Sequence, residues 1–263
     1  MTTSRQQTIE NLNTSYDQLE QLMARLSPSD WDVQSLCPDW TVRGVVTHLA
    51  SVEHALDGWL PTEDDNAPPF DRVGPWTSQA DAMSTEELVA ATTEIFASRR
   101  ELLATTTDEQ FATASMTPVG PGTYHRFMDV RVFDFWVHER DITTPLGWDT
   151  SDGGPVAERS LDEVDMSMGY IVGKKIGLPD GMGIAFEVTG PITRSIYAKV
   201  DGRAARVEAL DDPDVTVTAD AVAFVQLACG RVDPQQMIDA GRISWTGDAT
   251  WGEKAARNLA FTM

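Results

Sequence analysis

Cysteine is scarce in this chain. Two residues, Cys37 and Cys229, cannot supply the disulfide framework of a small secreted domain, and a reducing cytoplasm suits them. Basic residues are scarce as well: 20 Lys and Arg stand against 41 Asp and Glu, for a formal net charge of −21. No Lys/Arg cluster offers a footprint for nucleic acid or for an anionic membrane surface. The acid excess reads as solubility. No apolar run approaches the roughly 20 residues of a membrane span. The start, MTTSRQQTIENLNTSYDQLEQL, has no apolar signal-peptide core. These absences predict a soluble cytoplasmic protein. What is present, 263 residues with 41% apolar content, is enough for one large domain or two modest ones with a well-buried core.

The first half has helical periodicity. Ile9, Leu12, Tyr16, Leu19, Met23 and Leu26 recur at one helical face. SPSDWDVQSLCPDW interrupts that pattern. A second helix follows Trp40, with Thr41 as N-cap and Val45, Leu49, Val52, Leu56 and Trp59 as its stripe. PTEDDNAPPFDRVGP reads as a long polar loop. Ser84 and Glu87 make a capping-box pattern ahead of a third helix, TPVGPGTY reads as a break, and a fourth helix ends near TTPLG. WDTSDGGP is the candidate linker, which puts the boundary between residues 1–150 and 151–263. One helix from about Val156 to Ile176 is expected next. The period then shifts to alternation at Ile184, Phe186, Val188 and at Ile196, Ala198, Val200, with a hairpin turn at Asp201–Gly202. DVTVTAD and RISWTG read as further strands among short helices. The expected fold class is α+β in two domains: a helical bundle, then a small α+β domain.

The fourth helix contains DFWVHERD, residues 134–141. At about 100° per residue, Asp134 and His138 lie about 40° apart, and Asp141 falls within about 20° of Asp134. Phe127, Val130 and Val137 share that stripe, so the three ionisable residues face the bundle interior. Burying them costs several kcal/mol unless they pair or bind a metal. A core ion pair, with Arg131 bridging Asp134, is one solution. A metal site is the other: His48 borders the apolar stripe of the second helix, and His48, Asp134 and His138 make a three-ligand set with open positions for water or substrate. His54 falls on another face, and His125 is expected to be exposed at a helix start. Cys37 and Cys229 read as packing residues.

SLCPDWTVRGVVTHLASVEHAL and RVFDFWVHERDITTPLG resemble the two metal-binding segments of the mycothiol-dependent maleylpyruvate isomerase family. VTVTADAVAFVQLACGRVDP, ISWTGD and the ending ARNLAFTM look like that family's C-terminal domain. The resemblance covers nearly the whole chain. It implies a four-helix bundle of the DinB type, followed by a sterol-carrier-like α+β domain with a mostly antiparallel sheet. His48, Asp134 and His138 match the metal-ligand positions, except that the family has Glu where this chain has Asp134. The family metal is usually taken to be zinc, and the thiol is mycothiol, a low-molecular-weight cysteine conjugate. The implied chemistry is metal activation of that thiol for attack on a small electrophile, ending in cis-trans isomerisation or in S-transfer. Arg231 and Arg242 are candidates to make the site electropositive for a polarised substrate, with His48 as the catalytic ligand. Asp141 is a candidate support for the thiol site, holding the histidine or contacting the thiol. The chain is expected to work as a monomer or homodimer. A metal-stabilised binding module for an apolar small molecule is the alternative to an enzyme. The metal reading requires His48, Asp134 and His138 to converge on one point; a structure with His138 turned to solvent would exclude it.

Overall fold

Polar caps open the first helices. In the computed structural model, which describes residues 3–262, Ser4 opens α1 (Arg5–Arg25) by accepting from the Gln7 N–H. Thr41 caps α2 (Val42–Leu56) at Gly44. A short α3 (Val73–Ala80) precedes α4 (Thr85–Thr105), where Ser84 and Glu87 close a reciprocal capping box. Then come α5 (Asp108–Ala112) and a hairpin of β1 (Ala114–Thr117) and β2 (Gly120–Thr123). Thr123 caps α6 (Tyr124–Leu146), which stops at left-handed Gly147, φ 67°. Helices α1, α2, α4 and α6 form a four-helix bundle within a first unit that ends at Asp149.

The bundle core is apolar, with Leu12, Leu19, Val45, Leu49, Phe96 and Phe127 buried. One polar group sits inside it. Glu53 of α2 is 0% exposed. Its carboxylate accepts from the Tyr16 hydroxyl of α1 at 2.7 Å, Arg99 Nε of α4 at 2.9 Å and Arg131 Nε of α6 at 2.8 Å. Every long helix contributes one residue. Burial works against the Glu53 charge, but Arg131 and Arg99 outweigh it and hold the carboxyl below its usual range. Burial, reinforced by Glu53, pushes the Tyr16 hydroxyl well above its ordinary value.

Three expectations need correction. The segment read as a long loop turns helical at Phe70–Arg72 and continues as α3. Its start is hard to see because no side chain caps it and Pro75 stands in its first turn. TPVGPGTY is part of a paired hairpin, with Thr117 opposite Gly120; its glycines and proline carry no strand periodicity. The helix expected over 156–176 is broken. It runs as α7 (Pro155–Met166), a single turn α8 (Met168–Tyr170) and a wide π-type coil at Ile171–Ile176. Gly169 and Gly173 face Ala204 there, where added Cβ atoms would lie 3.3 and 3.0 Å from it.

The second unit begins at Thr150. Its five strands are β3 (Gly183–Thr189), β4 (Arg194–Asp201), β5 (Arg203–Val207), β6 (Val215–Asp220) and β7 (Ile243–Gly247), in the order β5-β4-β3-β6-β7. Only β3 and β6 run parallel; the other pairs are antiparallel. Gly202, at φ +63°, makes the expected hairpin turn. Helices α9 (Ala221–Ala228), α10 (Pro234–Asp239) and α11 (Ala249–Arg257) complete the unit. Phe186 of β3 meets Phe224 of α9 with ring centroids 5.7 Å apart. No helix among the described residues is long and apolar enough to cross a membrane.

Glu53→Ala would leave two arginines buried without their carboxylate. We expect a loss of about 3–5 kcal/mol, read as a lower urea midpoint; a loss below 1 kcal/mol would show that the polar hub does not hold the bundle together.

Candidate metal centre

Two helices build the site. Within α6, Asp134 and His138 are one turn apart, and α2 presents His48 opposite them. His48 Nε2 lies 3.4 Å from Asp134 Oδ2, and His138 Nε2 lies 3.4 Å from Asp134 Oδ1. The two imidazole rings meet edge to face, with centroids 4.9 Å apart. One donor atom from each of the three residues lies within 4.8 Å of the others. Ligand atoms about 2.1 Å from a tetrahedral ion stand about 3.4 Å apart, so the nitrogen–oxygen separations suit a divalent cation. The donor chemistry, two imidazoles and one carboxylate, suits one as well.

The charges are steered by the surroundings. Burial disfavours the Asp134 carboxylate, but Arg131 and His138 prevail and hold it well below the usual range. Arg131 donates to Asp134 directly. Burial would depress His138, yet Asp134 raises it well above its ordinary value, helped by Asp141. For His48, burial wins over Asp134 and lowers the imidazole. His138 is 5% exposed, whereas His48 and Asp134 are each 26% exposed, so the group is reached from their side.

Behind His138, Asp141 Oδ2 sits 2.8 Å from Nδ1. An ionised carboxylate can only accept, so Nδ1 carries a proton and the Nε2 edge is turned to Asp134. Cys37 Sγ is 3.1 Å from the same oxygen. Its reading as a packing residue is therefore incomplete: it is buried but bonded to a carboxylate. Trp40 stacks on His48, with centroids 4.7 Å apart and planes at 25°. This stacking needs Gly44, because a Cβ there would come within 2.9 Å of the Trp40 Cβ. A cleft of about 460 Å³ runs between α2 and α3, with His48, Trp40, Ser51 and Thr77 in its lining.

The remaining candidates lie elsewhere. His125 is not exposed at its helix start. Thr8 of α1 bonds its Nε2 at 2.9 Å and Phe111 covers its ring. His54 stacks against Trp76, away from the three-residue group. Arg231 and Arg242 belong to the second unit. Arg242 closes its fork on Asp220, at 2.8 and 2.6 Å. Arg231 donates to the Cys229 carbonyl at 3.1 Å. Cys229 is buried. Sequence reasoning missed Glu53, Arg99 and Trp40. Glu53 was detectable: it lies four residues after Leu49 and three before Leu56, on the apolar stripe itself.

The chain matches a known family along most of its length. The N-terminal domain model of mycothiol maleylpyruvate isomerase matches residues 12–143, and the family's C-terminal domain model matches residues 158–257. The chain belongs to the mycothiol maleylpyruvate isomerase family. Its fold is similar to a crystal structure of the mycothiol-dependent maleylpyruvate isomerase, with 15% identity, a TM-score of 0.63, and coverage of 88% of this chain and 90% of that one. A histidine-to-alanine mutant of that isomerase gives 14% identity, a TM-score of 0.64, and coverage of 94% and 95%. No curated protein matches the chain at a significant level.

The two histidines predict a pH signature for the metal-free protein. Because the folded pKa of His138 is raised, its stabilisation is complete below the unfolded value near 6.5 and is lost as pH rises through the folded value. The lowered His48 acts oppositely: its share is complete above about 6.5 and falls away only at lower pH. From about pH 7 upward the His138 contribution should therefore dominate, and stability should decline. Urea titrations at several pH values check this; His138→Gln should flatten the decline, and an unchanged slope would assign it to other groups.

Proposed function

We propose that the chain is a metal-dependent enzyme in which a low-molecular-weight thiol, mycothiol, attacks a small electrophile. The observation that carries this reading is the His48–Asp134–His138 group, whose spacing and donor types suit a divalent ion of the zinc class. Family membership supports the thiol, since the similar crystal structures are named as a mycothiol-dependent isomerase. A divalent ion bound there supplies Lewis acidity, which lowers the pKa of a thiol so that thiolate exists near neutral pH.

The chain's own residues do the rest. Asp141 holds His138 in the tautomer whose Nε2 faces the centre. Arg131 keeps Asp134 ionised, and therefore an acceptor, at any working pH. Burial keeps His48 neutral, which leaves its ring nitrogen available as a donor to a cation. Asp220 already occupies the fork of Arg242, which argues against a substrate role for that arginine. Maleylpyruvate-like cis-trans isomerisation returns the thiol, whereas S-transfer consumes it. Incubating the protein with thiol and electrophile, then counting free thiol, separates the two reactions.

His48→Ala should retain helical content by circular dichroism, lose metal by elemental analysis and lower thiol-dependent turnover by orders of magnitude. A folded, metal-depleted variant with an unchanged rate would end the reading. Asp141→Asn should weaken metal binding about 10–100-fold; unchanged affinity would remove Asp141 from the centre.

A further inference from the structure

We propose that Cys37 is a positioning residue for His138, and that the loop carrying it braces both histidines of the centre. The inference rests on the metal reading above, but it assigns a group that this reading leaves unused.

Asp141 Oδ2 lies 2.8 Å from His138 Nδ1 and 3.1 Å from Cys37 Sγ. The thiol donates to this oxygen, and the imidazole Nδ1–H does so as well with the carboxylate ionised. The thiol donation fixes the position of the oxygen that orients His138. A cysteine that merely fills space would sit against apolar atoms; this one places its sulfur on the carboxylate that grips a candidate ligand.

The loop itself is tightly bonded. Ser35 Oγ accepts from the Cys37 N–H at 3.1 Å and donates to the Trp40 carbonyl at 2.6 Å. Gln34 Nε2 donates to the Cys37 carbonyl at 2.7 Å and to the Trp40 carbonyl at 2.9 Å. The Leu36 N–H donates to the Asp141 carbonyl at 3.0 Å, tying the loop to α6. Three residues beyond Cys37, Trp40 lies flat on His48. One stretch of chain thus reaches His138 through Asp141 and reaches His48 by stacking. These histidines belong to different helices, so the loop couples their orientations.

The test uses cobalt(II) titration of the full chain, followed by its visible ligand-field absorption. Cys37→Ser keeps a donor and should bind cobalt close to wild type with an unchanged spectrum. Cys37→Ala should bind about 10–100-fold more weakly, as loss of a partner behind a ligand does, with a shifted spectrum. Cys37→Val fills the volume without a donor and should match the alanine variant, which separates hydrogen bonding from a cavity. Three results would overturn the assignment: alanine and valine variants that bind like wild type, a serine variant as weak as alanine, or a wild-type thiolate-to-cobalt charge-transfer band that disappears in every variant. The last would make Cys37 a ligand instead of a support. Wild-type protein that takes up no cobalt would refute the metal reading itself, before any Cys37 variant is compared.

Discussion

Glu53 is the constraint around which the bundle is arranged. An unpaired carboxylate at 0% exposure would be prohibitively costly. Its charge persists because two guanidinium groups and a phenol surround it, each from a different helix. Apolar packing tolerates small shifts of one helix against another. A carboxylate with three donors at 2.7–2.9 Å does not. The hub therefore sets the helix registers more narrowly than the surrounding leucines and valines can.

That register matters because the hub and the candidate centre share Arg131. The same guanidinium bonds Glu53 on one side and Asp134 on the other. Asp134 carries a short side chain, one methylene less than a glutamate would offer. A shorter side chain has less freedom to find its partners, and Arg131 supplies a fixed point from beneath. The position of Asp134 between His48 and His138 is thus set partly from the bundle interior, while Asp141 and Cys37 set His138 from behind.

The parts legible from sequence were those with a strong local period or cap. Thr41, Ser84 and Glu87 announced their helices, and Asp201–Gly202 announced its hairpin. The metal candidates were visible because Asp134 and His138 share a face with Phe127 and Val130, a conflict that periodicity exposes. Glu53 posed the same conflict, but it has no histidine one turn away on its own face to suggest a ligand pair; the adjacent His54 falls on another face. Cys37 and Trp40 were beyond that method. Their partners are Asp141 and His48, and no helical or strand period relates a loop residue to a side chain on a helix, whether that side chain lies 104 positions away, as Asp141 does from Cys37, or on the next helix, as His48 does from Trp40. The π-type coil at Ile171–Ile176 was hidden for a similar reason, since it is shaped by contact with Ala204 on a later strand.

The hub also bears on how the bundle assembles. Tyr16, Glu53, Arg99 and Arg131 span most of the first unit, so the network closes only after three long chain segments have been brought round. Loop-closure entropy opposes each of those steps before the next bond can compensate. Contacts that close last add their stability on the native side of the folding barrier. They slow unfolding more than they hasten folding, so the hub confers kinetic persistence on the bundle, resisting transient opening during the life of the protein.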